Sequence, residues 1–331
     1  MASFDILYIR PAGSGWGPVH ELVQLTRRLF DARLIEVDDT GDVNRLQRAS
    51  ALLPRGPRVR DRHLLVMGPQ PAAIAHVAHP RLWLPGYRSV AVWIIDSFWT
   101  DRTPRLLRDR PHVDRLFITD PQLVSEWSGQ TGLPVGVLPW GSDTTRFTSA
   151  QEGTDRPVDV LRVGRQPRAW SDDARTSRDA AAHGLHFAGR PPFSDDPARN
   201  QILVREAMGR ARVVLAFSNL VSPAPYTHPT RDYLTGRWTD ALAAGCLVAG
   251  TAPASAASLL WPGATVEISP TSRDDAWPFL AQLASEWTPQ AAADRQSEAR
   301  RRLDWRYRLR DLCMAMDWAV PDRLTAELAT L

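Results

Sequence analysis

Residues 232–250 read DYLTGRWTDALAAGCLVAG, and this run predicts a short helix followed directly by a buried strand. Alanine and leucine fill the centre of the run, and Gly245 stands where a helix commonly places its C-terminal glycine. Residues Cys246–Ala249 are apolar without interruption, which is typical of a parallel strand covered on both faces. The run therefore indicates an α/β domain.

The rest of the sequence repeats this alternation in two series. In the first half, apolar runs of strand length alternate with helical or turn-rich segments; the runs are Phe4–Arg10, Arg33–Val37, Leu64–Met67, Val90–Ile95 and Leu116–Thr119. We interpret Ser149–Asp159, which has no periodicity, as a linker. A second series follows, with strands predicted at Asp159–Val163, His186–Ala188, Val213–Phe217, Cys246–Ala249 and Val266–Ile268. Helices are predicted from Val19, at Asn200–Gly209, at Arg237–Gly245, at Asp274–Glu286 and from Pro289 to Ala319.

The length of the chain favours two domains. Its 331 residues exceed the roughly 250–300 at which a single hydrophobic core stops growing. We expect two doubly wound parallel-sheet domains, at 1–150 and 158–303. A C-terminal helix and tail follow at 304–331, and they could pack back on the first domain. Ligands of such sheets bind at the carboxyl ends of the strands, so we expect the site in a cleft that the two domains face.

The charge of the chain narrows the classes of partner. It has 40 basic and 37 acidic side chains, a formal net charge of +3, and no lysine. The charges are mixed along the chain, which argues against a dedicated nucleic-acid binder. Any bound anion must be held by arginine, by backbone N–H groups or by histidine. The cysteines, Cys246 and Cys313, have neither metal-ligand spacing nor the pattern of a disulfide framework.

Two further patterns bear on location. No basic segment leads into an apolar one near Met1, and the apolar runs are far shorter than the ~20 residues of a membrane span, so we expect a cytoplasmic protein. Arginines are frequent in the segment Arg300–Arg310. Leu303 and Tyr307 within it, and Met314 and Trp318 beyond it, mark one helical stripe. We interpret the arginines as the solvated face of that helix. Peripheral contact with anionic lipid, or with substrate, is the alternative.

A glycine-rich loop lies between the first strand and the first helix. It runs from Pro11 to Pro18 and contains Gly13, Gly15 and Trp16, with His20 two residues beyond it. Such a loop can line a cleft and let a substrate approach the backbone. With Asp38 after the second strand it also suggests a dinucleotide site, although the spacing is not G-x-G-x-x-G. A plain tight turn is the third interpretation.

The opening run carries the most specific chemistry. A loop that enters a helix offers free N–H groups and the positive end of the helix dipole to a diphosphate. Arg237 lies at this helix start, flanked by Asp232 and Asp240. Arg165 and Arg168 follow a strand of the same domain and could add planar forks for phosphate oxygens. The alternatives are surface arginines, a solvated loop acid at Asp232, and an acid at Asp240 that complements the helix dipole.

Three motifs resemble glycosyltransferases of the GT-B fold. Leu138–Phe147 is similar to the P-N-G-V-D…F passage of family four, with Trp140 at the Asn position and Ser142 at the Val position. Leu161–Arg165 resembles the V-G-R motif, but Trp170 stands where the family has Lys. Asp232 and Asp240 resemble the paired acids of retaining members, which have Glu. The pattern Arg237-x-x-Asp240-Ala241-x-Ala243-x-Gly245 resembles spore-maturation-type group-one enzymes.

This resemblance implies two Rossmann-like domains and transfer of a sugar from a nucleotide-diphosphate donor to a hydroxyl acceptor: a small molecule, glycan or glycolipid. It implies retention of anomeric configuration and catalytic roles for Asp96, Arg237 and Asp232. Donor contacts are expected from Gly164, Arg165, Arg168, Gly189, Arg190, Arg237, Trp238 and Asp240. Acceptor contacts are expected from Gly13, Gly15, Trp16 and His20.

The donor sugar nucleotide is a co-substrate, and no separate cofactor is expected. No D-x-D pair occurs in the sequence, which favours a mechanism that does not depend on a metal. Two other functions stay open at this point. One is an NAD-type oxidoreductase that uses the glycine loop and Asp38; the other is a non-catalytic relative that binds sugar nucleotides. The sequence does not indicate the sugar, the base, the acceptor or the oligomeric state.

Overall fold

The computed structural model describes residues 3–39, 45–50, 53, 57–78, 86–103, 112–150 and 156–331. The chain forms two compact units, one made of Met1–Pro139 with Arg306–Thr330 and the other of Trp140–Trp305. Residues 151–155 of the predicted linker lie outside the described residues.

The first unit contains a six-stranded parallel sheet with the strand order β2-β1-β3-β4-β5-β6. The strands are β1 Ser3–Arg10, β2 Arg33–Asp38, β3 Arg62–Gly68, β4 Ser89–Ile94, β5 Arg115–Ile118 and β6 Val135–Val137. The helices described here are α1 Gly17–Phe30, α2 Arg45–Ser50 and α3 Val124–Thr131, with short 3₁₀ turns at 14–16, 71–78, 100–102 and 121–123. The inner strands are buried almost throughout, because helices cover both faces of a parallel sheet.

One buried acid ties together the amino ends of three strands. Asp5 on β1 is 0% exposed. Its carboxylate accepts hydrogen bonds from Arg33 Nη2 at 2.6 Å and from the Tyr87 hydroxyl at 2.8 Å, and Arg62 Nη2 lies 3.2 Å away. A charge removed from water in this way is tolerated only when opposite charges and hydrogen bonds surround it.

The second unit contains a five-stranded parallel sheet with the order β11-β10-β9-β7-β8. The strands are β7 Val158–Arg162, β8 Phe187–Ala188, β9 Ala211–Phe217, β10 Leu247–Thr251 and β11 Thr265–Glu267. The helices are α4 Asp173–Ala182, α5 Pro197–Gly209, α6 Gly236–Ala243, α7 Ala276–Ser285 and α8 Pro289–Leu303. Alanines and leucines of α6 pack on the sheet beside Val214 and Val248, as the opening run predicts.

The C-terminal region is helical but broken, which corrects the prediction of one helix from Pro289 to Ala319. Asp304 is extended, with ψ at 133°, and separates α8 from α9 Trp305–Met316; α10 Asp322–Leu328 follows. The backbone at Asp304 pairs with Ser142, and its buried carboxylate accepts from the Thr144 amide at 3.1 Å. These contacts replace the helical hydrogen bonds that the break removes.

The prediction that the arginines after Arg300 form a solvated face is wrong for two of them. Arg306 and Arg308 are 2% and 7% exposed, whereas Met314, expected in the apolar stripe, is 61% exposed. Arg308 Nε donates to the Pro139 carbonyl at 3.3 Å, and Arg306 Nε donates to Glu327 at 2.7 Å. The predicted stripe assumed one continuous helical period. The extended residue Asp304 interrupts that period, so the residues of α9 do not continue the face of α8.

Glu327 joins α1, α9 and α10 of the first unit. It accepts from Arg28 Nη2 at 3.0 Å and from Arg306 Nε at 2.7 Å. The hydrogen bonds from Arg28 and then Arg306 lower the pKa of Glu327 from 4.5 to about 2. Because the folded pKa lies below the unfolded one, this stabilisation is fully present above pH 4.5 and is lost as the pH falls toward 2.

Glu327→Gln is therefore expected to reduce the free energy of unfolding at pH 7 by about 1–2 kcal/mol, since the solvent that reaches this carboxylate weakens its ion pairs. Urea unfolding at pH 7 and pH 3 measures this, and the deficit should shrink at pH 3. Asp31→Asn is the matched control, because Asp31 is 94% exposed and its nearest ion-pair partner, Arg323, is as far away as 3.9 Å. Equal stability of wild type and Glu327→Gln at pH 7 would contradict the assignment.

No helix among the described residues is both long and apolar enough to cross a membrane.

Candidate functional site

The N-terminus of α6 carries an arginine that bridges two strand ends. Arg237 lies in the first turn of the helix, and its Nη1 donates to the Arg165 carbonyl at 3.1 Å. Its Nη2 donates to the Phe217 carbonyl at 3.2 Å. Phe217 ends β9, and Arg165 lies three residues beyond the end of β7. The Arg237 guanidinium is thus fixed at the carboxyl edge of the sheet, where ligands of such sheets bind.

Gly164 makes room for this arginine. Its φ is +73°, and a Cβ at this position would lie 2.8 Å from Arg237 Cδ. A larger residue would therefore strain the backbone and displace the Arg237 side chain. This contact gives a physical reason for the glycine in the Val163-Gly164-Arg165 motif.

The site carries uncompensated positive charge. Burial, and then the neighbouring Arg165 guanidinium, lower the pKa of Arg237 to about 10, so that it is still protonated at neutral pH. Within the described part of the chain, neither Arg165 nor Arg237 forms an ion pair with an acid. Two half-buried guanidinium groups without a counter-charge at a helix N-terminus favour the binding of an anion.

Several buried polar atoms without hydrogen-bond partners lie on the segments that follow β7 and β9 and on the residue before α6. They are Arg165 Nε, Gln166 Oε1, Asn219 Oδ1 and Thr235 Oγ1. Thr235 occupies the N-cap position of α6, but its hydroxyl does not cap the helix. Gln166 and Asn219 are 8% and 2% exposed. Buried polar groups normally have partners, so Gln166, Asn219 and Thr235 join the arginines as candidates for ligand contact.

The two acids of the opening run have partners within the protein. Asp240 is 4% exposed; it accepts from Gln201 Nε2 at 2.7 Å and from the Ser142 hydroxyl. Asp232 accepts from the Ala254 amide at 2.6 Å and so holds the turn that follows β10. Both carboxylates are thus engaged in holding the loops around α6, and the direct contact of Asp240 with a nucleotide stays a prediction.

The prediction that Trp238 contacts the donor is wrong. Its side chain is 0% exposed and packs in the apolar core beneath α6, so it offers no surface to a ligand. The helical period explains this, because residues 237 and 238 point in directions about 100° apart.

The remaining predicted donor residues lie after β7 and β8. Arg168 is exposed and begins a 3₁₀ turn. A Cβ at Gly189 would lie 2.8 Å from Asp173 Oδ2, and the Arg190 amide donates to the same oxygen at 3.4 Å. The Arg190 side chain is exposed. These residues line the same carboxyl edge as Arg165, since β8 pairs with β7 in parallel.

The predicted acceptor residues belong to the first unit. Gly13 has a φ of +97°, and both Gly13 and Gly15 are open, with no atom within 4 Å of an added Cβ. Trp16 stands at the N-cap of α1, and half-buried His20 lies 6.4 Å from Tyr8 between ring centroids. Asp38, the residue suggested for a dinucleotide ribose, forms an ion pair with Arg10 at 2.6 Å.

Asp96 follows β4 at the carboxyl edge of the first sheet. Its backbone amide donates to the Pro69 carbonyl at 2.8 Å, and its side chain has no hydrogen-bond or ion-pair partner among the residues that the structure describes. Burial raises the pKa of Asp96 from 3.8 to about 8. A carboxyl group with such a raised pKa at a strand end is a candidate for a functional role.

No group of three or more His, Cys, Asp and Glu side chains in the described ranges is placed to hold a metal ion.

No protein-family model matches the sequence, and no curated protein matches it. Several solved structures do resemble the chain. HepE of Anabaena, in complex with UDP and glucose, has a TM-score of 0.55 at 10% identity, covering 95% of this chain and 99% of that one. An alpha-glucosyltransferase in complex with UDP and a 13-mer DNA gives 0.54 at 10% identity, covering 96% and 100%. A glycosyltransferase from Rickettsia africae gives 0.51 at 11%, covering 95% and 98%.

These likenesses extend over nearly the whole chain and confirm the predicted fold class. Both sheets are parallel, helices accompany them, and the C-terminal region is helical, as in the GT-B fold.

Proposed function

We propose that this protein is a glycosyltransferase that moves a sugar from a nucleoside diphosphate donor to a hydroxyl acceptor. The observation that carries the proposal is the pair of arginines, Arg165 and Arg237, held without counter-charge at the N-terminus of α6. The fold shared with proteins solved with UDP supports a diphosphate as the anion.

The arginines would act on the leaving group. As the bond between sugar and phosphate breaks, negative charge grows on the diphosphate, and fixed positive groups stabilise that charge. Arg237 is held in place by the carbonyls of Arg165 and Phe217, so little reorganisation is needed when the charge develops. The N–H groups in the first turn of α6 would add to this stabilisation.

We assign positioning roles to the two acids. Asp240 joins α6 to Ser142 and to Gln201 of α5, while Asp232 joins the loop before α6 to the turn after β10. Both would keep the N-terminus of α6 in the geometry that the diphosphate requires. Arg168 is proposed as an additional phosphate contact, and the backbone at Gly189 and Arg190 as the contact to the base.

The acceptor side is assigned to the first unit, with Asp96, the open loop at Gly13 and Gly15, Trp16 and His20. Retention is proposed from the resemblance of the motifs, and independence of metal from the absence of a D-x-D pair in the sequence. In that mechanism an oxygen of the departing phosphate takes the proton of the acceptor hydroxyl, and Asp96 orients the hydroxyl.

Asp96 should give both the reaction and the stability a pH dependence. The transfer rate is expected to change with a midpoint near pH 8 in wild type, and this change should be absent in Asp96→Asn. Because the folded pKa is raised, wild-type stability falls as the pH rises from 3.8 to about 8. The free energy of unfolding of Asp96→Asn should therefore exceed that of wild type by at least about 1 kcal/mol at pH 9, and should show no such gain at pH 4. A higher free energy of unfolding for wild type than for Asp96→Asn at pH 9 would contradict this.

Calorimetric titration with UDP, GDP and dTDP tests the proposed function. At least one of them should bind with a stoichiometry of one, and its glucose ester should be hydrolysed slowly in the absence of an acceptor. If none of the three binds, the proposal is wrong. Binding without hydrolysis or transfer to any of a panel of hydroxyl acceptors would instead indicate a non-catalytic sugar-nucleotide-binding protein.

A further inference from the structure

The loop between β9 and α6 holds an aromatic side chain out from the protein. Its backbone is restricted by Pro223, Pro225 and Pro229. Thr227 is buried; its hydroxyl donates to the Ala224 carbonyl at 2.9 Å and accepts from the Ala224 amide at 2.9 Å, which closes a tight turn.

A second set of contacts fixes the far side of this loop. Asn219 Nδ2 donates to the carbonyls of His228 and Arg231 at 2.9 and 2.8 Å. His228 Nδ1 in turn accepts from the Arg231 amide at 3.0 Å. The turn that carries residues 225 and 226 is therefore fixed on both sides, at residues 224–227 and at residues 228–231.

Tyr226 stands on this turn and is 69% exposed. The guanidinium carbon of Arg165 lies 4.9 Å from the centre of its ring. Tyr226 also lies close enough to Arg237 to act on that group electrostatically. A large ring held in water by a restrained loop, beside the two arginines of the anion site, is well placed to contact a bound ligand.

We infer that Tyr226 is a specificity-determining residue, whose exposed ring packs against a ring carried by the diphosphate ligand. This inference rests on the proposed function. The ligand ring would be the base of the nucleotide or the donor sugar, since both present flat or C–H-rich faces that aromatic rings bind.

Calorimetry on Tyr226→Ala tests the inference. Three ligands are used. They are inorganic pyrophosphate, whichever of UDP, GDP and dTDP binds wild type most tightly, and the glucose ester of that nucleotide. Tyr226→Ala should weaken the nucleotide about tenfold if the base is the partner, or only the glucose ester if the sugar is the partner. Pyrophosphate, which carries no ring, should change by less than about twofold. Tyr226→Phe should bind the nucleotide and its glucose ester with wild-type affinity, because it keeps the ring.

Phe279→Ala is the matched control, because Phe279 is an exposed aromatic residue on α7 of the same unit. It should leave all affinities unchanged. An equal loss for pyrophosphate and nucleotide in Tyr226→Ala would show that the tyrosine acts only through Arg165, and would overturn the inference. Unchanged affinities for both the nucleotide and its glucose ester would also overturn it, with the proposed function intact. Failure of wild type to bind any of these diphosphates would overturn both.

Discussion

Replacing Arg237 with alanine is expected to weaken nucleoside diphosphate binding by about ten- to a hundredfold. Hydrogen bonds to charged groups are worth about 1.5–3 kcal/mol each, and a guanidinium that faces a diphosphate makes at least one. The carbonyls of Arg165 and Phe217, which now hold Arg237, would be left facing the ligand. Calorimetric titration of the variant measures the loss.

The stability of the same variant separates binding from architecture. A structural arginine would cost stability when removed, but Arg237 is half-buried and has no acidic partner in the described residues. Without ligand, Arg237→Ala should therefore unfold at the same temperature as wild type or a higher one. Arg178→Ala is the control, because Arg178 is exposed on α4 of the same unit. If Arg237→Ala binds as tightly as wild type, the site is misplaced.

The second large effect is expected at Asp5. Replacing Asp5 with alanine leaves the hydroxyl of Tyr87 and the guanidinium groups of Arg33 and Arg62 without their common acceptor. Removal of one partner from a buried ionic network typically costs about 3–5 kcal/mol. The lower end is expected here because the Arg33 side chain is 54% exposed and can be solvated.

Urea unfolding followed by circular dichroism measures this cost, with the transition of the first unit resolved from that of the second. Asp61→Ala is the control, since Asp61 is 78% exposed in its pair with Arg88 and should change stability by less than about 1 kcal/mol. A loss at Asp5 no larger than at Asp61 would show that the buried network contributes little.

Local patterns were sufficient for most of the fold and for placing the centre of the candidate site. Apolar runs between turn residues predict the long strands, such as β1 and β9, because a parallel strand must be apolar on both faces. Arg237 and Gly164 could be predicted because a helix start and a strand end carry their signals in neighbouring residues. These local signals say nothing about which distant groups meet.

The predictions that were wrong, and the residues that were missed, depend on such distant contacts. The helix breaks at Asp304 because of Ser142 and Thr144, some 160 residues earlier. Gln166 and Asn219 were not predicted, because an amide in a loop is an ordinary residue until its neighbours are known. Thr235 could have been noticed as a potential N-cap before the helix start at Gly236.

The most direct measurement of the central claim is a crystal structure of this protein grown with UDP. The claim predicts that the diphosphate lies at the N-terminus of α6, with oxygens within hydrogen-bond distance of Arg237 and Arg165. Electron density for UDP at the Gly13–Gly15 loop or elsewhere in the chain, with these two arginines uncontacted, would contradict it.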